Sequence, residues 1–240
     1  MTESSLNKMD YSYIDENVAR VRERMEEAAR RSGRRLDDIL LLAAIKSADA
    51  DEVNHIHRSL GIHNVGENRV QQLTDRYDKL DRAGLNIHFI GSLQTNKVKY
   101  ISDKVTLIHS LDSLRLADEI EKQASKRGIV SRVLVEINSG NEKNKGGIEP
   151  CDVEKFCLSL SEYSSIELCG FMTMAPRCES KRDYCTYFDR TREISDRVWH
   201  SSLGRNGEPI LSMGMSESFE EAIECGSNLV RIGRTLFHKE

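Results

Sequence analysis

The chain has 240 residues, of which 38% are hydrophobic and 31% charged, and a formal net charge of −4. That length holds one large domain or two small ones and is enough to bury a full core. The slight acidity removes the electrostatic case for a nucleic-acid partner, and no apolar run approaches membrane-spanning length.

Residues Met1 to Asp10 are polar and lack the apolar stretch of a secretory signal. The six cysteines, Cys151, Cys157, Cys169, Cys178, Cys185 and Cys225, form no CxxC pair, so free thiols in a reducing compartment are expected. The expectation is a soluble cytoplasmic protein.

Residues 14–32 carry Ile14, Val18, Val21, Met25 and Ala28 at spacings of three and four, which predicts an amphipathic helix stopped near Gly33. A strand follows over 39–45. Its core, Leu40-Leu41-Leu42-Ala43-Ala44-Ile45, is apolar without interruption and ends at Lys46. A run so short and uniform suits a strand buried on both faces. Val53, Ile56 and Leu60 mark the next helix. A strand over 62–65 leads to the turn Gly66-Glu67-Asn68, and Val70, Leu73 and Tyr77 continue as a helix. The third strand, 86–90, precedes a short helix reaching about Ile101, and the fourth, 105–108, ends at His109. Leu114, Ala117, Ile120 and Ala124 form a helical stripe before the fifth strand, 133–137.

Asn138 to Gly147 is the most loop-like stretch, rich in Gly, Asn and Lys. It carries Lys143 and Lys145 and is either a lid or a solvated charged loop. Val153, Phe156 and Leu160 lie on a helix, and 166–171 is the sixth strand. A long helix over 181–201 turns Tyr184, Phe188, Thr191, Ile194 and Val198 inward. The seventh strand, 209–213, a short helix stopping at Gly226, and the eighth strand, 229–232, complete the order.

Strict alternation of strand and helix implies a parallel sheet. Eight such units after one extra N-terminal helix predict an α/β fold, a single (β/α)8 TIM barrel forming one domain over residues 1–240. A doubly wound open sheet is the structural alternative. In a barrel the residues just after the strands form the active end. Here these are Lys46, Gly66 to Asn68, His88 to Gly91, His109, Asn138, Met172 and Thr173, Ser212 to Ser216, and Arg231 to Gly233.

The last two strand ends read as a phosphate cup. Gly214 permits close backbone approach, Ser212 and Ser216 offer hydroxyls, and Arg231 and Gly233 add a charge and a second small residue. Capping and turn roles for Ser216 and Gly233 explain the same residues about as well. A lysine near a phosphate cup suggests a Schiff base with a phosphorylated carbonyl compound. Burial of Lys46 at the mouth would favour the neutral amine that such chemistry needs. Pyridoxal 5′-phosphate and a phosphosugar in an aldolase-like reaction both fit.

Several motifs occur in one order: Ala44-Ile45-Lys46, Val65 to Gln71, His88 to Lys97, Ile108-His109-Ser110, Gly170 to Met174, Leu211 to Ser216, and Val230 to Gly233. They span residues 40–237, and the chain resembles the YggS/PROSC family of pyridoxal phosphate homeostasis proteins. The resemblance implies an alanine racemase-like barrel holding pyridoxal phosphate. It implies Lys46 as the Schiff-base lysine and Asn68 beside the cofactor. Ser212, Ser216 and Gly233 would surround the phosphate, and Arg231 would stand at the pyridine nitrogen or favour the phosphate. An arginine on that nitrogen keeps it unprotonated and weakens the ring as an electron sink. Arg234 stands where a small hydroxyl residue is usual, and either loses a contact to the phosphate or adds a charge to it. Ile87 and His238 stand where tryptophan and glycine are common.

Other candidates are weaker. His55 and His57, two apart on a helix, face different sides and make a poor metal pair, so no metal site is assigned. His88 and His109 are either pocket-lining or structural.

The racemases of this barrel type add a β-rich domain and a catalytic tyrosine from a partner subunit. With the chain ending at Glu240 just after the eighth strand, and no tyrosine assigned to the second face, the expectation is a cofactor carrier without robust turnover. Apo-enzymes that use pyridoxal phosphate are its expected recipients, with neither nucleic acid nor membrane as partner and a monomer or weak dimer as its state. The alternatives are a small pyridoxal phosphate-dependent enzyme acting on amino acids, such as a racemase, and a Schiff-base aldolase.

Overall fold

The computed structural model describes residues 10–140 and 146–239. Eight parallel strands close into a barrel in sequential order: β1 Leu40–Ala44, β2 Asn64–Glu67, β3 Asn86–Phe89, β4 Leu107–Leu111, β5 Ser131–Ile137, β6 Ile166–Thr173, β7 Ile210–Ser212 and β8 Leu229–Ile232. Closure is made by β1 against β8, with Leu40 opposite Leu229 and Leu42 opposite Arg231. The open-sheet alternative is thereby excluded.

The uninterrupted apolar run of β1 has a direct cause. Leu40, Leu42 and Ala44 point into the barrel and pack with Ile90, Ile210 and Leu229. Ala43 and Ile45 point outward into the main core between barrel and helices. Side chains alternate along a strand, so both faces are buried and both sets must be apolar.

The helices are α1 Ser12–Arg31, α2 Ala50–Leu60, α3 Val70–Arg76, α4 Leu114–Arg127, α5 Val153–Ser159, α6 Lys181–Asp196, α7 Phe219–Glu224 and α8 Arg234–Phe237. The stripe Ile14, Val18, Val21, Met25 and Ala28 of α1 is fully buried. This extra helix is tied to the chain's last turn by Asn17 Nδ2, which donates to the carbonyls of Leu236 and His238 at 3.1 and 3.0 Å. Asp49 caps α2 by accepting from the amide of Glu52 at 2.8 Å, and Glu52 returns the bond to the amide of Asp49 at 2.7 Å. Gly61 stops that helix at φ +63°.

Several element boundaries differ from the sequence expectation. The short helix expected to reach about Ile101 is a 3-10 helix, Thr95–Tyr100. The helix expected over 181–201 ends at Asp196, and Arg197–Ser202 widen into a π-helix, although no Gly or Pro marks the change. Strand β4 does not end at His109 but runs to Leu111, with a register shift against β5 between Ile108 and Leu111. Polar His109 and Ser110 mimic a strand end in the sequence, yet both lie inside the strand and both are buried. Among the described residues no helix is long and apolar enough to cross a membrane.

Candidate functional site

Alternation along β1 sets the position of Lys46. Residues 40, 42 and 44 face the barrel interior, so Lys46 continues that series where the strand ends, at the mouth. A cavity of about 590 Å³ opens there. Of the residues read from the sequence, Lys46, Asn68, Ser216, Arg231, Gly233 and Arg234 all line it. Lys46 is exposed, so the burial invoked for its amine is not supplied by protein atoms.

The backbone beneath Lys46 is held by a buried ion pair. Glu67, 0% exposed, accepts from the amides of Asn68 and Arg69 at 2.8 and 3.3 Å through Oε1. Its Oε2 lies 3.5 Å from Arg76 Nη1. The same Arg76 nitrogen donates to the carbonyl of Ile45, the residue before Lys46, at 2.7 Å. Burial pushes the Glu67 carboxyl above its ordinary range, and the charge of Arg76 opposes that. One pair therefore joins the ends of β1 and β2 and sets the local backbone of both Lys46 and Asn68.

The cup after β7 depends on two glycines. Gly214 sits at φ +87°, and a Cβ there would lie 2.5 Å from Ala222 Cβ. A Cβ on Gly233 would lie 2.7 Å from the carbonyl oxygen of Ala44, so α8 begins pressed against the end of β1. Ser218 Oγ accepts from the amide of Met215 at 3.3 Å and folds the 214–218 turn back on itself. At the exposed rim Arg234 pairs with Glu217 at 3.0 Å.

Arg231 is 4% exposed and reaches the cavity from below. Its Nη1 donates to the carbonyl and hydroxyl of Ser212 at 2.7 and 2.6 Å, and Nη2 donates to the carbonyl of Thr173 at 2.9 Å. Burial lowers its pKa to about 10, opposed by Glu136. Burial also raises the Glu136 carboxyl to about 7, with Asp112 adding to the shift and Arg231 working against it.

Ser212 departs from expectation. Its hydroxyl points into the barrel, accepts from Arg231 and meets His109 Nδ1 at 3.0 Å, and it does not line the cavity. A seven-strand end was expected to present both Ser212 and Ser216, but β7 stops at Ser212, whose side chain still belongs to the interior layer. His88 and His109 do not line this cavity either. They are hydrogen-bonded to each other, Nδ1 to Nε2, at 2.9 Å inside the barrel. His55 and His57 diverge as expected, His55 to Asp15 and His57 to the Ala83 carbonyl.

Two parts of the wall were missed. Met174 to Arg177 line the cavity because β6 runs on to Thr173 rather than ending at Phe171. The strand-end rule finds them once that boundary is moved. Tyr184, assigned only to the inward stripe of its helix, also lines the cavity from α6. Its stacking on Phe188, with centroids 6.2 Å apart, leaves it at the edge of the core rather than within it. Of the loop 138–147, residues 141–145 with Lys143 and Lys145 lie outside the described residues.

The family described as alanine racemase, N-terminal domain, matches residues 9–239. A pyridoxal phosphate homeostasis protein of Aquifex aeolicus is 43% identical over 225 residues, covering 92% of this chain and 96% of its own. Among solved structures, an unknown protein from Bifidobacterium adolescentis aligns with a TM-score of 0.85 at 31% identity, over 95% of this chain and 97% of its own. PipY of Synechococcus elongatus PCC7942, solved with PLP bound, has the same fold, with a TM-score of 0.80 at 24% identity over 94% of this chain and 100% of its own.

Proposed function

This chain belongs to the pyridoxal phosphate homeostasis protein family, built on the alanine racemase N-terminal fold, and from that premise we propose that it binds pyridoxal 5′-phosphate at the barrel mouth, holds it on Lys46 as a Schiff base, and delivers it to apo-enzymes in the cytoplasm. The barrel acts as a single domain in this role, as a monomer or weak dimer. The carrying observation is the donor set of one cavity: the primary amine of Lys46, serine hydroxyls including Ser216, and the guanidinium groups of Arg177, Arg231 and Arg234 around a mouth of about 590 Å³. That set fits the group, since an aldehyde wants an amine and a phosphate wants cationic and hydroxyl donors. Bound there, the cofactor supplies an aldehyde that condenses with amines and a ring that draws electrons from the attached carbon.

The chain's own residues divide the work. Ser216, Arg234 and the backbone at Gly233 hold the phosphate. Asn68 offers a side amide from the turn that Glu67 fixes. Arg231 would meet the ring nitrogen and, as a group that keeps its proton, would leave that nitrogen unprotonated. An exposed Lys46 remains accessible to water and to other amines, which favours release over retention.

The test is the absorption spectrum of the purified protein before and after borohydride, with peptide mapping of the fixed group. A yellow protein with a pyridoxyl group on Lys46 is expected. A colourless protein that stays colourless with added cofactor removes the reading and leaves the aldolase.

One observation favours a second reading as a small enzyme acting on amino acids. Tyr184 lines the same cavity as Lys46, so a second acid or base is within the site after all. Turnover of D- or L-alanine, serine or lysine that is lost in Tyr184→Phe would establish it.

A further inference from the structure

A second cavity, of about 550 Å³, opens at the opposite end of the barrel, among the N-terminal ends of the strands. Its floor is apolar, with Leu40 and Leu229. Its polar walls carry Asp37 and Asp38 on one side and Arg132 on another, with His88 between the strands.

His88 is the informative residue. It is 6% exposed and lines this cavity. Its Nδ1 is engaged by His109, while its Nε2 makes no hydrogen bond among the described residues. A ring edge of a nearly buried residue that lines a cavity without a protein partner is free to take a ligand there.

One set of bond directions makes that atom a donor. Arg231 has only donors, so Ser212 Oγ accepts from it at 2.6 Å. With the Ser212 proton on the side of His109 Nδ1, 3.0 Å away, one chain of donors runs toward His88. His109 is left with its proton on Nε2 and gives it to His88 Nδ1 at 2.9 Å. His88 therefore carries its proton on Nε2, as a donor pointing into the cavity. Burial holds both imidazoles neutral: His88 falls to about 4, with the charge of Arg132 adding to the effect, and His109 is held well below the ordinary imidazole range, with His88 and Arg231 adding to the effect.

We propose that this cavity is a second binding site, for a free α-amino acid, joined through His88, His109 and Ser212 to Arg231 at the other end of the barrel. The ligand carboxylate accepts from His88 Nε2 and pairs with Arg132. Its ammonium group pairs with Asp37 or Asp38, and its side chain lies on Leu40 and Leu229. A simple anion is disfavoured by the two aspartates, and a simple cation by Arg132 and the histidine donor. Only a ligand carrying both charges satisfies both walls. The charges there are loosely committed: Arg132 lies 3.5 Å from Glu167 and Asp37 2.9 Å from Arg35, in pairs that are largely solvent-exposed. Such pairs exchange partners readily. A carboxylate on His88 strengthens each bond of the chain in the same direction. Occupancy at the lower end is thereby felt at Arg231.

The test is nuclear magnetic resonance of full-length protein labelled with ¹⁵N in its histidines. Glycine, L-leucine, L-glutamate and L-lysine are titrated separately, with acetate and methylamine as single-charge controls. At least one amino acid should shift the ring nitrogens of both His88 and His109 saturably. Acetate and methylamine should bind at least tenfold more weakly. Arg132→Gln, a change at the surface, should weaken the amino acid at least tenfold, and Lys46→Ala should leave it unchanged. The proposal is overturned if no amino acid shifts His88 at about 10 mM, well above a millimolar dissociation constant. It is equally overturned if Arg132→Gln binds like the wild type, or if the shifts vanish in Lys46→Ala, which would put the ligand at the upper mouth.

Discussion

Replacing His88 by asparagine tests the interior hydrogen-bond chain through its effect on acid stability. Asparagine keeps an acceptor near the position of Nδ1, so the bond from His109 survives, but it does not titrate. In the wild type, burial holds the His88 pKa at about 4, against 6.5 for the free side chain. Below pH 6.5 the unfolded chain binds a proton that the folded chain refuses, so stability falls as the pH falls. The loss begins near pH 6.5 and is complete once the pH passes below about 4. At 1.36 kcal/mol per pKa unit, the contribution of His88 is about 3 kcal/mol. Raised carboxyls, Glu67 and Glu136, act in the opposite direction over part of this range. Urea unfolding of wild type and His88→Asn at intervals from pH 7.5 to 4 therefore reads the difference between the two curves. The variant should close on the wild type, or overtake it, by about 3 kcal/mol between pH 6.5 and 4. Parallel curves would mean that His88 is not held neutral by burial, and the bond directions assigned from it would fall too.

Arg76→Ala removes the bond to the Ile45 carbonyl and leaves Glu67 buried without its counter-charge; a loss of about 3–5 kcal/mol in urea unfolding is expected. Adding Glu67→Gln should recover part of that loss, and a variant that costs less than about 1 kcal/mol would show the pair to be idle. Ser216→Ala and Arg234→Ala should each weaken pyridoxal phosphate binding by roughly ten- to a hundredfold in a spectroscopic titration, the equivalent of about 1.5–3 kcal/mol. Unchanged affinity in both variants would mean that the phosphate lies elsewhere. Gly214→Ala places a Cβ 2.5 Å from Ala222 at a positive φ, so both the melting temperature and cofactor affinity should drop. Retention of both would show that the cup can relax.

The barrel was legible because its strands are buried on two faces. Leu40 to Ile45 could satisfy an inner and an outer apolar layer at once, and few other settings call for such a run. The mouth was legible for the same reason: polar residues and glycines stand out where apolar runs stop. Boundaries failed where that contrast is lost. His109 and Ser110 look like a strand end, but a barrel interior admits histidines when each nitrogen finds a partner, and His109 finds Ser212 and His88. Ser212 was misplaced by the same contrast, since its hydroxyl is taken up by Arg231 and His109 inside the barrel. Tyr184 stayed hidden because a helical stripe shows which face turns inward, not how far the core extends beneath it.

Carrier and enzyme readings differ most in how the two ends of the site are held. Arg231 is fixed by three hydrogen bonds and almost fully buried, so the side proposed to meet the ring is rigid before any ligand arrives. Lys46 is exposed, and only its backbone is fixed, through Arg76 and Ile45. Rigid contacts give affinity, whereas an exposed amine would leave the proposed covalent link open to exchange with water or an incoming amine. A racemising enzyme needs the reverse, with water excluded around the reacting carbon. Tyr184 narrows this difference, because it supplies one element a two-base mechanism requires. Exclusion of water is then the deciding property. Among the described residues Lys46 is exposed at the mouth, and the proposed carrier role rests on that exposure, so turnover lost in Tyr184→Phe is the result that would displace it.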